Sequence, residues 1–191
     1  MGKVIYLNKL REFFSNTPVF TSRDVRTAVG AGSYGRLMLH NLVKKGEIQR
    51  LVRGYYTKLD DPIVSVFCFR PAYLGLHTAL SIHKLWGQET NITIITAKKV
   101  RVGVRTVLGS NVNIHRVDSR YLFGFDLLKY ENVSLPVSDI EKTLLDFLYF
   151  GIKLDKEAVK GISERIDHRK LRTYASRFPR EIAEKASKFL T

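Results

Sequence analysis

The chain has 191 residues and a formal net charge of +14, from 32 Lys and Arg against 18 Asp and Glu. Its 45% hydrophobic and 26% charged residues are typical of a globular protein and exclude a disordered or low-complexity chain. The length allows one medium domain or two small ones. A positive excess of this size is the usual sign of a polyanionic partner, most often nucleic acid, although some basic proteins bind none.

Membrane, secreted and metal-binding classes are not favoured. The longest uncharged stretch, between Arg70 and Lys84, has 13 residues, whereas a membrane span needs roughly 20 apolar ones. The N-terminus carries no apolar signal core, so we expect a cytoplasmic protein without membrane contact. Cys68 is the only cysteine, which predicts neither an internal disulfide nor a cysteine-based metal site. We expect no cofactor.

The positive charge is concentrated near the N-terminus. Residues 1–60 carry +7, residues 61–135 carry +4 and residues 136–191 carry +3. Two adjacent acids and a proline at 60–62 disfavour continuous regular structure and mark a boundary. We therefore predict two domains, a strongly basic domain over 1–60 and a second domain over 61–191.

The chain begins with two predicted helices. Apolar residues recur at helical spacing over 6–14, with charged residues on the other side. Thr21 followed three positions later by Asp24 is a capping box in which Asp replaces the usual Glu. A short second helix is therefore expected over 22–29, and the glycine cluster at 30–32 ends it.

A third helix is predicted from Ser33 to about Lys45. Its small and apolar residues recur at the spacing of a single buried face. That face comprises Gly35, Met38, Leu39, Leu42 and Val43. The opposite face carries mostly polar side chains, which remain available to a partner.

A hairpin follows the third helix. Residues 48–52 alternate as a strand does, Arg53 and Gly54 form a turn, and residues 55–57 return. Helix, short helix, glycine turn, helix and basic hairpin is the order of a winged helix-turn-helix. The third helix of such a domain is narrow enough to enter the major groove of double-stranded DNA. The alternative is a three-helix packing module that binds protein instead of DNA.

The polar face of the third helix carries the side-chain types that recognise bases. Arg36 suits guanine, Asn41 suits adenine, and Leu37 suits the methyl group of thymine. The cations of the hairpin suit phosphates or the minor groove. The residues predicted to bind DNA are Ser22, Arg23, Ser33, Tyr34, Arg36, Leu37, His40, Asn41, Lys44, Arg50, Arg53, Tyr55 and Lys58.

This region also resembles a known family. The run from 32 to 56 is similar to the N-terminal domain of AbiEi-type antitoxins, which are transcriptional regulators associated with viral-defence systems. The residues that carry the resemblance are Gly32-Ser33-Tyr34, Leu39, Leu42, Lys45-Gly46-Glu47-Ile48 and Arg53-Gly54-Tyr55-Tyr56.

The rest of the chain predicts an α+β domain. Residues 63–69 fit either a strand or a buried helix, and a helix follows Pro71. A mostly antiparallel sheet is expected, with helices beside it and at the C-terminal end. The predicted strands are 91–96, 102–108, 112–117, 122–128 and 133–135, and the predicted C-terminal helices are 154–166, 169–178 and one after Pro179.

Three features of this domain invite a functional interpretation. Basic residues cluster in the sheet at Lys98, Lys99, Arg101 and Arg105, and they are either a second DNA surface or the solvated face of the sheet. His83 has no second ligand at metal spacing, so a structural, hydrogen-bonded His is expected. Ser138 and Glu141 form a capping box, which gives Glu141 a structural role.

Two further motifs resemble the AbiEi-type family. Residues 72–80 are similar to its helix entry, and residues 133–146 are similar to its segment ending in Glu-Lys-Thr-Leu-Leu-Asp. The resemblance implies an antitoxin that represses its own promoter by binding repeats there. It also implies a nucleotidyltransferase-like toxin as functional partner, countered without a stable complex, as in type IV toxin–antitoxin systems.

Other functions are weighed against this one. A metal-dependent nuclease needs clustered carboxylates and commonly an acid two residues before a lysine, a spacing that this sequence lacks. We therefore expect no enzyme and assign no catalytic or metal-binding residue. A regulator without a toxin partner and a protein-interaction module with a vestigial winged helix stay open. Repeated half-sites fit either a homodimer or monomers that meet on DNA.

Overall fold

The computed structural model describes residue 10 and residues 12–14, 17–29, 32–88 and 90–189. The chain divides into two compact units. The first runs to Cys68 and includes Thr106–Ser110, and the second comprises Phe69–Arg105 and the chain from Asn111 onward. The segment 61–68, which the sequence placed after a domain boundary, groups with the first unit.

The first unit has the element order of a winged helix-turn-helix. Its helix α1 is described at residues 10 and 12–14. The other elements are β1 (Phe20–Thr21), α2 (Ser22–Val29), α3 (Gly32–Lys44), β2 (Gln49–Val52) and β3 (Tyr55–Thr57). The three strands form an antiparallel sheet in the order β1-β3-β2. The predicted helices and hairpin are confirmed in their described residues.

The start of α2 is fixed by the capping box that the sequence predicted. The backbone N–H of Thr21 donates to Oδ2 of Asp24 over 2.7 Å. The backbone N–H of Asp24 donates in return to Oγ1 of Thr21 over 3.3 Å. Two backbone donors that have no partner within the helix are thereby satisfied, so the short helix begins at a defined residue.

The core of the first unit is an aromatic and aliphatic cluster. The rings of Phe14 and Phe20 stack with their centroids 4.4 Å apart, and the ring of Tyr56 stacks with Phe20 at 6.4 Å. Buried residues of α2 and α3, together with Ile48 directly before β2, complete the cluster. One predicted core residue is wrong: Val43 is 37% exposed, because it lies at the edge of the buried arc of α3.

Gly35 of α3 packs beside Arg26 of α2. It is buried, and a Cβ atom at this position would lie 3.0 Å from Cγ of Arg26. Such a contact is tighter than ordinary van der Waals packing, so a larger residue would push the Arg26 side chain away or separate the helices. The glycine therefore leaves room for the Arg26 side chain beside α3.

The chain from Phe69 onward contains a six-stranded sheet, whose residues Thr106–Ser110 group with the first unit. The elements of this part of the chain are β4 (Ala72–Leu74), α4 (Leu76–Ile82), β5 (Ile92–Thr96), β6 (Gly103–Val107), β7 (Ser110–Arg116), β8 (Phe125–Tyr130), β9 (Val133–Ser138), α5 (Ile140–Phe150), α6 (Lys156–Arg165), α7 (His168–Ala175) and α8 (Arg180–Ser187). The strand order is β6-β7-β5-β4-β9-β8. Short 3-10 helices occur at Pro62–Phe69 and Ser119–Tyr121.

The α+β class is confirmed, and the sheet is mixed. Strand β4 pairs antiparallel with β5, and β8 pairs antiparallel with β9. Two pairings are parallel, β4 with β9 and β5 with β7. The sequence did not predict β4, whose three residues pair with strands far along the chain. The segment 63–69, left open between strand and helix, is a buried 3-10 helix.

The capping box predicted at Ser138 is wrong by one residue. Asp139 is the N-cap of α5, and its Oδ1 accepts from the backbone N–H of Lys142 over 2.7 Å. The hydroxyl of Ser138 contacts Oγ1 of Thr143 at 2.7 Å instead. Glu141 accepts from the backbone N–H of Asp167 over 2.8 Å, so it ties α5 to the start of α7. Glu141 therefore has a structural role, as expected, but its partner is the start of α7 and not the N-terminus of its own helix.

No helix in the described parts of the chain is both long and apolar enough to cross a bilayer. The longest described helix, α3, has 13 residues, whereas a span requires roughly 20.

Candidate nucleic-acid interface

The exposed face of α3 is formed by two strips of side chains. Successive residues of an α-helix are rotated by about 100°, so residues three or four apart lie on one side. The first, which we call the groove strip, consists of Arg36, His40 and Val43. The second, the outer strip, consists of Leu37, Asn41 and Lys44. All six side chains are exposed, and Leu37 is exposed to 55% despite being apolar.

The groove strip forms one wall of a concavity in the first unit. This concavity, the α3–wing groove, has a volume of about 360 Å³ and lies between α3 and the hairpin of β2 and β3, which we call the wing. Arg50 and Tyr56 form the opposite wall, and Ser22, the first residue of α2, also contributes to it. Arg50 and Tyr56 are paired across the two strands, so their side chains share one face of the sheet.

The wing presents further cations. Arg53 lies in the turn between β2 and β3, where Gly54 adopts a φ of +85° that favours glycine. Lys58 directly follows β3, and both cations are exposed, whereas Tyr55 is half-buried. Arg23 is exposed in the first turn of α2. The structure therefore brings the predicted residues of α2, α3 and the wing onto one unit.

The charges of this surface are not neutralised within the unit. Among the described residues of the first unit, the one ion pair joins Lys45 and Glu47 at 4.0 Å, and both side chains are exposed. Exposed guanidinium and ammonium groups in a concave surface raise the local concentration of anions. The arrangement fits a polyanion better than a neutral or basic partner.

Comparison with known proteins bears on this surface directly. A family model described as "Transcriptional regulator, AbiEi antitoxin" covers α2, α3 and the wing. Residues 8–57 match this family. The resemblance expected from the sequence is thereby confirmed for this stretch, which we call the AbiEi-type region, and DNA-binding regulation is the function that the family indicates.

The fold as a whole is shared with a solved protein. The RV2827C protein from Mycobacterium tuberculosis superimposes with a TM-score of 0.62 over 97% of this chain and 76% of that chain. The two sequences are 15% identical, so the likeness concerns the fold alone. The search of curated proteins gave no match.

Two residues of the groove were missed by the sequence analysis. Val43 was assigned to the core, and Tyr56 was not singled out although its neighbour Tyr55 was. Strand alternation gives the missing signal for Tyr56, since it places Tyr56 and Arg50 on the same face of the wing. Ser33 and Tyr34 are also predicted to bind DNA, and their side chains lie outside the described part of the AbiEi-type region.

The second predicted DNA surface lies outside the AbiEi-type region. Arg105 lies over the ring of Phe69 at 5.5 Å and donates to the backbone oxygen of Arg101 over 2.7 Å. Lys99 and Arg101 are exposed, and Lys98 is half-buried. The guanidinium of Arg105 is therefore held in place by its neighbours, and its assignment to DNA stays a prediction.

A buried polar cluster in the second unit is the other candidate site. The ammonium of Lys142 donates to the Tyr73 hydroxyl over 2.6 Å and also contacts Asp146, while Tyr73 donates to Asp146 over 2.9 Å. All three side chains are fully buried. Burial raises the pKa of Asp146 and of Tyr73 and lowers the pKa of Lys142.

This cluster is closed to solvent on every side that the structure describes. The ammonium of Lys142 lies within 5.6 Å of the ring centres of Phe123 and Phe178. Gly124 has a φ of +68°, and a Cβ atom there would lie 2.9 Å from Cβ of Lys142. The cluster therefore holds α5 against β4 and presents no surface to a substrate. His83 is likewise structural, since its Nε2 contacts the backbone oxygen of Ser138 at 2.7 Å.

Proposed function

We propose that the protein is a sequence-specific regulator of transcription that binds double-stranded DNA through the AbiEi-type region. The observation that carries the proposal is the exposed face of α3, where Asn41 and cationic side chains surround the apolar Leu37. Amide, guanidinium and methyl contacts are the means by which a helix distinguishes base pairs in the major groove.

The wing adds affinity in this proposal. Arg50, Arg53 and Lys58 are exposed on or directly after the wing, and contacts from such cations to phosphates position a helix on the duplex without reading sequence. The charge of +7 within residues 1–60 has the sign required. A cytoplasmic location and the absence of a catalytic step are part of the proposal.

A mobility shift tests this function. The full chain is mixed with the duplex upstream of its own gene and, separately, with an unrelated duplex of equal length. We expect tighter binding to the upstream duplex, as in an autorepressor, and weaker binding by Arg36→Ala and Arg53→Ala. Parent-like binding by both variants would show that the winged helix does not bind DNA. Solution mass with and without DNA distinguishes a preformed homodimer from monomers that meet on repeats.

We further propose that this regulator is the antitoxin of a type IV toxin–antitoxin system that acts in defence against phage. The support is the description of the matching family, together with the motif at 133–146, which resembles that family beyond the matched region. The functional partner is then a nucleotidyltransferase-like toxin that forms no stable complex with this chain.

Co-expression tests the antitoxin role. A nucleotidyltransferase-like reading frame beside the gene is expressed alone and together with the full chain, and growth is followed. We expect rescue of growth without co-purification of the two proteins. Continued toxicity during co-expression would refute the antitoxin role and would leave DNA binding to be judged by the mobility shift.

A further inference from the structure

The α3–wing groove lies between two elements that are suited to different grooves of DNA. In B-form DNA the major groove is about 12 Å wide and the adjacent minor groove about 6 Å wide, and one sugar-phosphate backbone separates them. With α3 in the major groove and the wing at the neighbouring minor groove, that backbone has to pass between them. The concavity of about 360 Å³ occupies this place.

The chemistry of the groove fits a phosphodiester. Its polar side chains include Arg36 and Arg50 from opposite walls, together with His40, Ser22 and Tyr56, and none of its seven residues is acidic. No carboxylate in the described part of the chain lies within ion-pair distance of either guanidinium. A guanidinium donates two parallel hydrogen bonds to phosphate oxygens, which makes arginine the preferred side chain for such a seat.

We propose that the α3–wing groove seats the sugar-phosphate backbone between the two DNA grooves, with Arg36 and Arg50 on phosphate oxygens, and that the outer strip alone reads bases. This inference rests on the proposed DNA-binding function. It reassigns Arg36, for which the sequence favoured a guanine contact, because the side chain belongs to the groove strip and shares a concavity with Arg50.

Base reading then depends on Leu37 and Asn41. Leu37 is 55% exposed on the outer strip, and the methyl group of thymine is an apolar group that it can contact. Asn41 has the donor and acceptor that adenine requires. The two residues are four positions apart, or about 6 Å along the helix axis. A base pair rises about 3.4 Å, so the operator carries the thymine and the adenine within about two steps.

The test separates phosphate contacts from base contacts. The probes are the duplex that the full-length parent selects from a random pool and an unrelated duplex of equal length. Arg36→Gln and Arg50→Gln are expected to weaken both duplexes by the same factor and to reduce the salt slope of log K by about one unit each. Arg172→Gln, an exposed arginine of α7 in the second unit, is the control for the same loss of charge.

Asn41→Ala and Leu37→Ala are expected to act on the selected duplex. Each base contact discriminates by about 1–3 kcal/mol, so Asn41→Ala should weaken that duplex about 5- to 140-fold while the unrelated duplex changes little. Replacement of the contacted thymine in the selected duplex should no longer weaken binding by Leu37→Ala. Replacement of the contacted adenine should no longer weaken binding by Asn41→Ala. All four substitutions are at exposed positions, and a thermal melt confirms that each variant is folded.

Two results would overturn the inference. If Arg36→Gln weakens only the selected duplex, Arg36 reads a base. If Asn41→Ala and Leu37→Ala weaken both duplexes equally, the outer strip does not read sequence. In both cases the parent still binds DNA and the proposed function stands, whereas a parent that binds neither duplex refutes the function itself.

Discussion

The two units differ in what their charged side chains contact. In the described part of the first unit, the cations of α3 and the wing are exposed, and the single ion pair joins Lys45 and Glu47. In the second unit, Lys142 is buried against Asp146, and Lys170 lies 2.9 Å from Asp139 and 3.3 Å from Glu141. Three further pairs link residues four apart on the surfaces of α6 and α8.

This difference decides whether a charged side chain contributes to the stability of the protein or to the binding of a partner. A cation that is paired with a carboxylate of the same protein contributes to the stability of the fold. It is then not available to an external anion. An exposed cation without a carboxylate beside it contributes little to stability and is available to a polyanion. We therefore expect substitutions of charged residues to change stability in the second unit and DNA affinity in the first.

The largest effect is expected at the buried cluster. Asp146→Ala leaves the ammonium of Lys142 buried without a carboxylate and with the Tyr73 hydroxyl as its remaining hydrogen-bond contact among the described residues, and breaking a buried pair in this way costs about 3–5 kcal/mol. Denaturant unfolding measures the loss. The double variant Lys142→Met with Asp146→Leu should recover much of it. A large change in DNA affinity in the folded single variant would contradict the separation of the two units by role.

The capping box of α2 is the stability test in the first unit. Thr21→Ala removes the hydroxyl that accepts from the backbone N–H of Asp24, so we expect a loss of about 1 kcal/mol in the free energy of unfolding. Thr21→Ser keeps the hydroxyl and serves as the control. Equal stability of the Ala and Ser variants would mean that the cap does not stabilise the helix.

The wing offers a test in which the affinity for DNA changes while the stability of the protein does not. Arg53→Ala should leave the unfolding midpoint unchanged and lower the slope of log K against log salt by about one unit, if the side chain meets a phosphate. This corresponds to a few-fold loss of affinity at low salt. An unchanged slope would place Arg53 away from the DNA.

The pH dependence of stability should arise in the second unit. Burial lowers the pKa of His115 below its ordinary value of 6.5, so the unfolded chain takes up this proton first as the pH falls. The contribution of the neutral His115 side chain to stability is therefore complete above pH 6.5, and it is lost as the pH decreases through the lowered pKa. Unfolding midpoints above and below pH 6.5 measure it. His115→Gln should flatten the dependence, and an unchanged profile would exclude this histidine as its source.

The smallest effect is expected at an exposed pair. Glu181→Gln removes the partner of Lys185 on α8, where the two groups are 2.6 Å apart and largely exposed. Exposed pairs of this kind contribute little to stability, because solvent screens them. A urea midpoint close to that of the parent is expected, and a loss as large as that of Asp146→Ala would show that burial does not decide which pairs matter.

Local signals were sufficient to predict most of the first unit. The helix over 22–29 follows from Thr21 and Asp24, which are three residues apart and complete their hydrogen bonds with each other. The hairpin follows from alternation and a glycine turn. Val43 was misassigned because a spacing rule gives the centre of a buried face and not its width, and this residue lies at the edge.

Distant contacts explain what the sequence did not predict in the second unit. Strand β4 has three residues, and its pairing with β9 joins Leu74 to Val137, so no local pattern identifies it. Ser138 is drawn into contact with Thr143 and the backbone of Leu74, which leaves Asp139 to cap α5. The pair of Lys142 and Asp146 has the spacing of an ordinary surface pair, and only the surrounding sheet and aromatic rings bury it.

The aromatic stack of the first unit has a consequence for the thermodynamics of recognition. Phe14, Phe20 and Tyr56 are stacked in sequence, and Tyr56 is at once the last ring of the core and a wall of the α3–wing groove. A wall that is ordered before the ligand arrives loses little conformational entropy on binding. The heat-capacity change on binding the proposed DNA ligand should then reflect the apolar area covered at the interface, without the additional contribution of a segment that folds around the duplex.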